Sequence, residues 1–244
     1  MKLSRSLLLI VLLVGGFGKW AVATHNRAGE IIYEVKGYLT YSVTIITYTK
    51  TSSRLADRDT LELHWGDGTV EKVLRTNGPR GGPNNIPQGV ELENDIKRNE
   101  YRTPVPHTYA GPLPYYIISV RDPNRIDNII NIQGGASVDI AFYLEDTLVV
   151  FNPTFVGYNN SPILLYPPID YANRNDTFYH NPIAFDPDGD SLHFRLVPPR
   201  SASGVNVPAY QYPDQINPGI NNQFTINSQH GGNHMGYTSA SGHL

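Results

Sequence analysis

Residues 61–70 read Leu61-Glu62-Leu63-His64-Trp65-Gly66-Asp67-Gly68-Thr69-Val70, and this stretch decides the fold. Leu61, Leu63 and Trp65 alternate with Glu62 and His64. That period of two puts apolar side chains on one face of a half-buried strand. Asp67-Gly68 then stands between this run and a second one, Val70 to Leu74. Asp-Gly between two such runs signals a β-hairpin, because a type I′ turn needs positive φ at its central residues. Trp65 ends the inward series and is expected to pack in the core.

The same period recurs on both sides. Leu39, Tyr41, Val43 and Ile45 alternate with Thr40, Ser42 and Thr44. Val138, Ile140, Phe142 and Leu144 alternate with Asp139, Ala141 and Tyr143, and Leu192, Phe194 and Leu196 with His193 and Arg195. The 22 glycines and 19 prolines favour many short strands and turns over long helices. The best candidate for a short helix is Asp95 to Tyr101. Residues 77–88 (NGPRGGPNNIPQ) form the largest turn-rich loop, expected to be exposed and mobile. Residues 152–168 (NPTFVGYNNSPILLYPP) read as a junction, with a domain boundary near Asn159. Short strands without intervening helices predict an all-β chain of tandem β-sandwiches.

Hydrophobic residues make up 40% of the chain and charged residues 17%, the balance of a folded protein. Lys2 and Arg5 precede an apolar run from Leu7 to Val14, and Ala21-Val22-Ala23 presents small residues in an A-x-A pattern. Residues 1–23 therefore read as a signal peptide cleaved before Thr24, which implies a secreted or cell-surface protein. The apolar run is shorter than the roughly 20 residues a membrane span needs. No later segment could span a bilayer as a helix. Removing three of the 19 basic residues with the signal leaves 16 against 22 acidic ones, a net charge of −6. No basic excess exists to neutralise a phosphate backbone, so no nucleic-acid partner is expected. With no cysteine, disulfides, thiolate metal sites and cysteine nucleophiles are excluded.

Beyond the Trp65–Thr69 turn come His107-Thr108-Tyr109 and a strand-like run, Tyr115 to Asp122. This set resembles a polycystic-kidney-disease-type (PKD) domain, which has a W-G-D-G turn, an H-x-Y element and an alternating strand. The resemblance covers roughly Gly29 to Asp122. The insertion between turn and HTY, which carries residues 77–88, is longer than usual for that family. The resemblance implies an Ig-like β-sandwich that is mostly non-catalytic. Asp67 and His107 can be read as an acid–base pair or as a turn former and a structural hydrogen-bonder. Backbone geometry accounts for Asp-Gly completely, which favours the structural reading.

A second motif is Asp186-Pro187-Asp188-Gly189-Asp190-Ser191-Leu192. Three carboxylates in five residues repel one another unless they are solvated or share a cation. Calcium takes six to eight hard oxygen ligands, which alternating aspartates can help to supply. The spacing is not that of an EF-hand, since the twelfth position from Asp186 is Val197. With Asn160-Ser161-Pro162 before it, the segment resembles the cadherin-like repeats of bacterial surface proteins. The resemblance implies a calcium site near a domain junction, with Asp186, Asp188, Asp190 and Asn160 as candidate ligands. The alternative is a solvent-facing β-turn with no ion. The order of units also resembles the N-terminal part of gliding-motility-associated, type IX-secreted surface proteins. On that resemblance a sorting domain or further domains would lie beyond residue 244. The second unit reads as incomplete after Ile226.

No H-E-x-x-H, G-x-S-x-G or G-x-x-x-x-G-K-[ST] occurs. His230, His234 and His243 sit among glycines in the tail. Glu30, Glu62, Glu91, Glu93 and Glu145 could in principle pair for glycoside hydrolysis, but sequence cannot show two of them facing each other. Flat tyrosine faces suit pyranose rings, although tyrosines in sandwiches commonly straddle core and surface. Tyr158, Tyr166, Tyr171 and Tyr179 cluster at the junction. The expectation is a signal peptide over 1–23, a PKD-like sandwich over 24–158 and a cadherin-like unit over 159–244. Together they make a non-enzymatic adhesin or stalk that meets an extracellular protein or glycan. The alternative is an accessory binding module of a secreted polysaccharide- or protein-degrading enzyme.

Overall fold

A computed structural model describes residues 25–169, 171, 177–180, 183–212, 215, 224–225 and 235–238. The expected signal segment and the tail histidines lie outside these residues. The described chain is predominantly β-sheet. Its first part runs β1 (Asn26–Gly37), β2 (Thr40–Lys50), β3 (Thr60–His64), β4 (Val70–Leu74), β5 (Arg80–Gly81), β6 (Ile86–Pro87), β7 (Val90–Leu92), β8 (Ile96–Arg102), β9 (His107–Thr108), β10 (Tyr115–Asp122) and β11 (Phe142–Val149). One sheet has the order β1-β2-β8-β7, with β9 also paired to β2; the other has the order β11-β10-β3-β4. Every pairing in both sheets is antiparallel.

The two sheets face each other across one core. Ile31, Tyr33, Tyr41, Val43, Ile45 and Tyr101 come from the first sheet, and Leu61, Leu63, Val73, Ile118, Val120 and Leu148 from the second. These are the inward positions of alternating strands, so the sandwich follows from the period of two. The outer face of the first sheet is covered as well. Ile32, Ile46, Tyr48 and Ile96 form a second cluster, against which Ala28, Ile163 and Ile169 pack.

The later chain contributes β12 (Ile163–Leu164), β13 (Thr177–His180), β14 (Ala184–Phe185), β15 (Arg200–Ala202), β16 (Val205–Asn206), β17 (Phe224–Thr225) and β18 (Met235–Thr238). They pair as small ribbons: β12 with β14, β15 with β16, and β13-β18-β17. Among the described residues no helix is long and apolar enough to cross a membrane.

Several local expectations are corrected. Asp95 to Tyr101 is not helical; Ile96–Arg102 is a strand of the first sheet, paired with β2 on one side and β7 on the other. Its alternation is hidden because two of its inward residues, Lys97 and Asn99, are polar. Both serve a buried cluster around Asp57. Arg75 Nη1 and Nη2 lie 2.8 and 3.1 Å from the two Asp57 oxygens. Lys97 Nζ lies 2.7 Å from Oδ1. Asn99 Oδ1 accepts from Arg75 Nη1 at 2.8 Å, and Arg75 Nε donates to the Pro87 carbonyl at 2.8 Å.

Residues 77–88 are largely exposed but do not form an open loop. β5 and β6 pair within them, Gly89 N donates to Asn77 O at 3.0 Å, and Pro87 is buried beneath Arg75. Gly78 packs so closely on the Gly89 backbone that a Cβ there would collide with it. The run from Val138 starts its strand late, because Ser137–Asp139 makes a 3-10 turn around the buried Ser137. Leu192, Phe194 and Leu196 do alternate in burial, yet residues 191–199 join no ladder among the described residues.

Candidate functional site

The Trp65 hairpin forms as expected, with Trp65 N donating to Thr69 O at 3.0 Å. The turn type differs from expectation. Positive φ falls on Gly66 (83°) and Gly68 (94°), and Asp67 between them keeps an ordinary backbone. Asp67 Oδ1 accepts from Thr69 N at 2.8 Å, and its Oδ2 lies 2.8 Å from His107 Nε2. His107 in turn stacks on Trp65, with ring centroids 4.4 Å apart. Tyr109 donates its hydroxyl to the Trp65 carbonyl at 2.8 Å and stacks on Tyr116 at 3.7 Å. Burial works to raise the Asp67 pKa, but the Thr69 N–H and His107 outweigh it and hold the carboxyl below its usual range. The HTY element therefore pins β9 and the Trp65 turn together, and both groups of the supposed acid–base pair are engaged in that joint.

The second motif makes a clasp. Asp186 is buried, and its Oδ1 accepts from the N–H groups of Asp188 (2.8 Å) and Asp190 (3.2 Å), an Asx-turn that closes the loop on itself. Asp188 reaches back 28 residues. Its Oδ2 accepts from Asn160 N at 2.6 Å, and its Oδ1 from Asn160 Nδ2 at 3.0 Å. Asn160 Oδ1 accepts from Val35 N at 2.9 Å, so β1 fixes the orientation of the amide. Ser161 completes the seam: its Oγ accepts from Tyr33 N at 2.8 Å, and its N–H donates to Tyr33 O at 3.1 Å.

Of the four candidate calcium ligands, Asn160 and Asp188 meet, but as donor and acceptor. Asp190 is exposed and contributes its N–H to Asp186. Among the described residues no group of three or more His, Asp or Glu side chains gathers to hold a metal ion. A cation at Asp188 would compete with Asn160 for the same oxygens.

Beside the seam lies a cleft of about 330 Å³ lined by Glu30, Glu145, Asp146, Ser161 and His193, with apolar groups between them. Of the five glutamates set out above, the structure brings Glu30 and Glu145 to this one cleft, while Glu62, Glu91 and Glu93 stand exposed. Asp146 had no signal in the sequence, because nothing local marks it as half-buried in a cleft. Glu145 pairs with Arg200 of β15, and Glu30 Oε2 accepts from Leu164 N at 3.3 Å. Both carboxylates thus tie later strands to the sandwich. Burial raises the Glu30 pKa, partly offset by the Leu164 N–H and Arg98. Burial also pushes Asp146 up to about 6, partly offset by the Thr147 N–H.

Asp146, in the cleft beside the seam, makes the stability of the fold sensitive to protons. Its folded pKa lies above its unfolded value, so its contribution is fully present below about pH 4 and is lost as pH rises through about 6. The loss is about 3 kcal/mol at most. Asp146→Asn is expected to be more stable than the parent at pH 7.5 and to show no such advantage at pH 4. Urea midpoints at the two pH values check this. An equal effect of the substitution at both would contradict the assignment.

Comparisons with protein-family models, with curated proteins and with solved structures found no match.

Proposed function

We propose that this chain is a non-enzymatic, exported cell-surface or extracellular protein of tandem Ig-like modules. A PKD-like sandwich over residues 24–158 is followed by a cadherin-like unit over 159–244. It acts as an adhesin or stalk segment that presents loops to an extracellular protein or glycan. The observation that carries this reading is the clasp at the junction. Asp188, Asn160, Ser161 and the β1 backbone form one continuous hydrogen-bonded seam, which resists bending where two modules meet. A stalk needs a stiff joint between modules, since loosely linked domains move relative to one another by default.

Two further features support it. The signal-like residues 1–23 imply export. The chemistry-bearing residues of both motifs, Asp67, His107, Asp186 and Asp188, are engaged in turns and seams. Protease treatment of intact source cells tests the reading. An antibody to the sandwich is expected to lose its antigen while a cytoplasmic marker survives, or to find the protein in the medium. Full protection of the protein inside intact cells would overturn it.

A further inference from the structure

The outer face of the second sheet carries an open groove of about 640 Å³, within the range of small-molecule sites. Its floor is built by register. Ser119 of β10 lies directly opposite His64 of β3, and Ile117, two residues earlier, points to the same face. Gly66 lies beside Ile117. A Cβ there would sit 2.7 Å from the Ile117 carbonyl oxygen, so the position admits only glycine and leaves no side chain to fill the groove. Tyr115, 56% exposed, forms one end. The opposite wall is the β15–β16 turn, which contributes Ser203. That turn is anchored over the sheet, since Arg121 Nε donates to Ser201 O at 3.2 Å and Arg200 pairs with Glu145.

The composition of this surface selects its ligand. Among the described residues, none that lines the groove is Asp, Glu, Lys or Arg. The acid-lined cleft of the seam differs in this respect. An uncharged groove gives no compensation for desolvating a charged ligand, so it disfavours anionic polymers and basic peptides. What it offers is a flat phenol ring beside a floor of one imidazole, one hydroxyl and the apolar Ile117, with a second hydroxyl on the wall. The negative face of an aromatic ring attracts polarised C–H edges, while hydroxyl and imidazole groups exchange hydrogen bonds with ligand hydroxyls. A neutral saccharide chain presents both kinds of surface.

We propose that the groove between Tyr115 and Ser203 binds a neutral oligosaccharide. The proposal rests on the reading of the chain as an adhesin segment that meets a glycan, and names the class of that glycan.

The test is calorimetric titration of the full-length protein with five neutral linear hexasaccharides: cellohexaose, xylohexaose, mannohexaose, maltohexaose and laminarihexaose. At least one is expected to bind with a Kd below about 1 mM. Tyr115→Ala is expected to weaken that binding by about tenfold or more with an unchanged melting midpoint, because the ring is exposed. Ser203→Trp, on an exposed turn, obstructs the groove and abolishes binding. Tyr166→Ala, at another exposed tyrosine, leaves binding unchanged. The proposal is overturned if no neutral hexasaccharide binds at millimolar concentration, if polygalacturonate binds in their place, or if Tyr115→Ala and Ser203→Trp bind as the parent does. None of these outcomes touches the cell-surface test, so the two readings fail separately.

Discussion

Trp65→Ala is expected to cost about 3–5 kcal/mol of stability, among the largest effects of any single substitution in the sandwich. Trp65 is 0% exposed and heads the fully buried side chains by volume. Its removal leaves a cavity between the sheets and also dissolves a joint. His107 loses its stacking partner at 4.4 Å, and Tyr109 loses an edge contact at 6.2 Å. The Tyr109 hydroxyl bond to the residue 65 carbonyl uses only backbone and remains possible. For a chain of this size the loss corresponds to a fall of roughly 6–20 °C in the melting midpoint. Trp65→Phe keeps most of the apolar volume but loses the indole N–H bond to Glu71 (3.1 Å), so about 1–2 kcal/mol is expected. Thermal melts followed by far-UV circular dichroism distinguish the series. A Trp65→Ala protein as stable as the parent would contradict the placement of this side chain.

Asp57→Ala is expected to be comparably damaging, by about 3–5 kcal/mol, for a different reason. Asp57 is the carboxylate on which Arg75 and Lys97 both converge, and their side chains are 2% and 9% exposed. Removing it leaves two buried cations facing each other without a counter-charge. Burial works to raise the Asp57 pKa, but the neighbouring His25, Arg75 and Lys97 side chains outweigh it and hold the carboxyl far below its usual range. Its folded pKa is therefore depressed. The stability it supplies is present above about pH 4 and is lost as pH falls further toward the folded value. Asp57→Asn keeps the shape and one acceptor oxygen but not the counter-charge, so it is also expected to be destabilised, by less than Asp57→Ala, and to lose that acid dependence. Urea midpoints between pH 3 and pH 7 check both variants. An unchanged acid limb in Asp57→Asn would show that other carboxylates carry it.

The two substitutions fall on opposite sides of what a sequence can reveal. Trp65 is legible at once: it ends an alternating run and precedes a glycine-rich turn, both local features. The same holds for Leu61 and Leu63 and for Tyr41, Val43 and Ile45, all of which lie where the period of two puts them. Asp57 is invisible, because its role depends on Arg75 and Lys97, 18 and 40 residues away. For the same reason β8 resembles a helix in sequence. Its inward Lys97 and Asn99 break the apolar alternation, and only the carboxylate across the sheet makes them buried residues.

The acidic turn divides in the same way. Asp186 closes its own loop through neighbouring N–H groups, and that local turn is written in D-P-D-G-D. Asp188 meets Asn160, and Glu30 and Asp146 come to one cleft, through the packing of the later chain on β1 and β11. The neutral groove likewise takes its floor from β3 and β10 and its wall from residue 203, three segments that nothing in the sequence joins. By itself, then, the sequence determined the all-β class, the inward faces of the main strands and the Trp65 hairpin. Each depends on side-chain alternation and turn geometry within a few residues. The tertiary structure alone decided which carboxylate neutralises which cation, which acid has its pKa raised by burial and which surface stays open. Those outcomes depend on through-space electrostatics and burial between segments that the chain brings together only when folded.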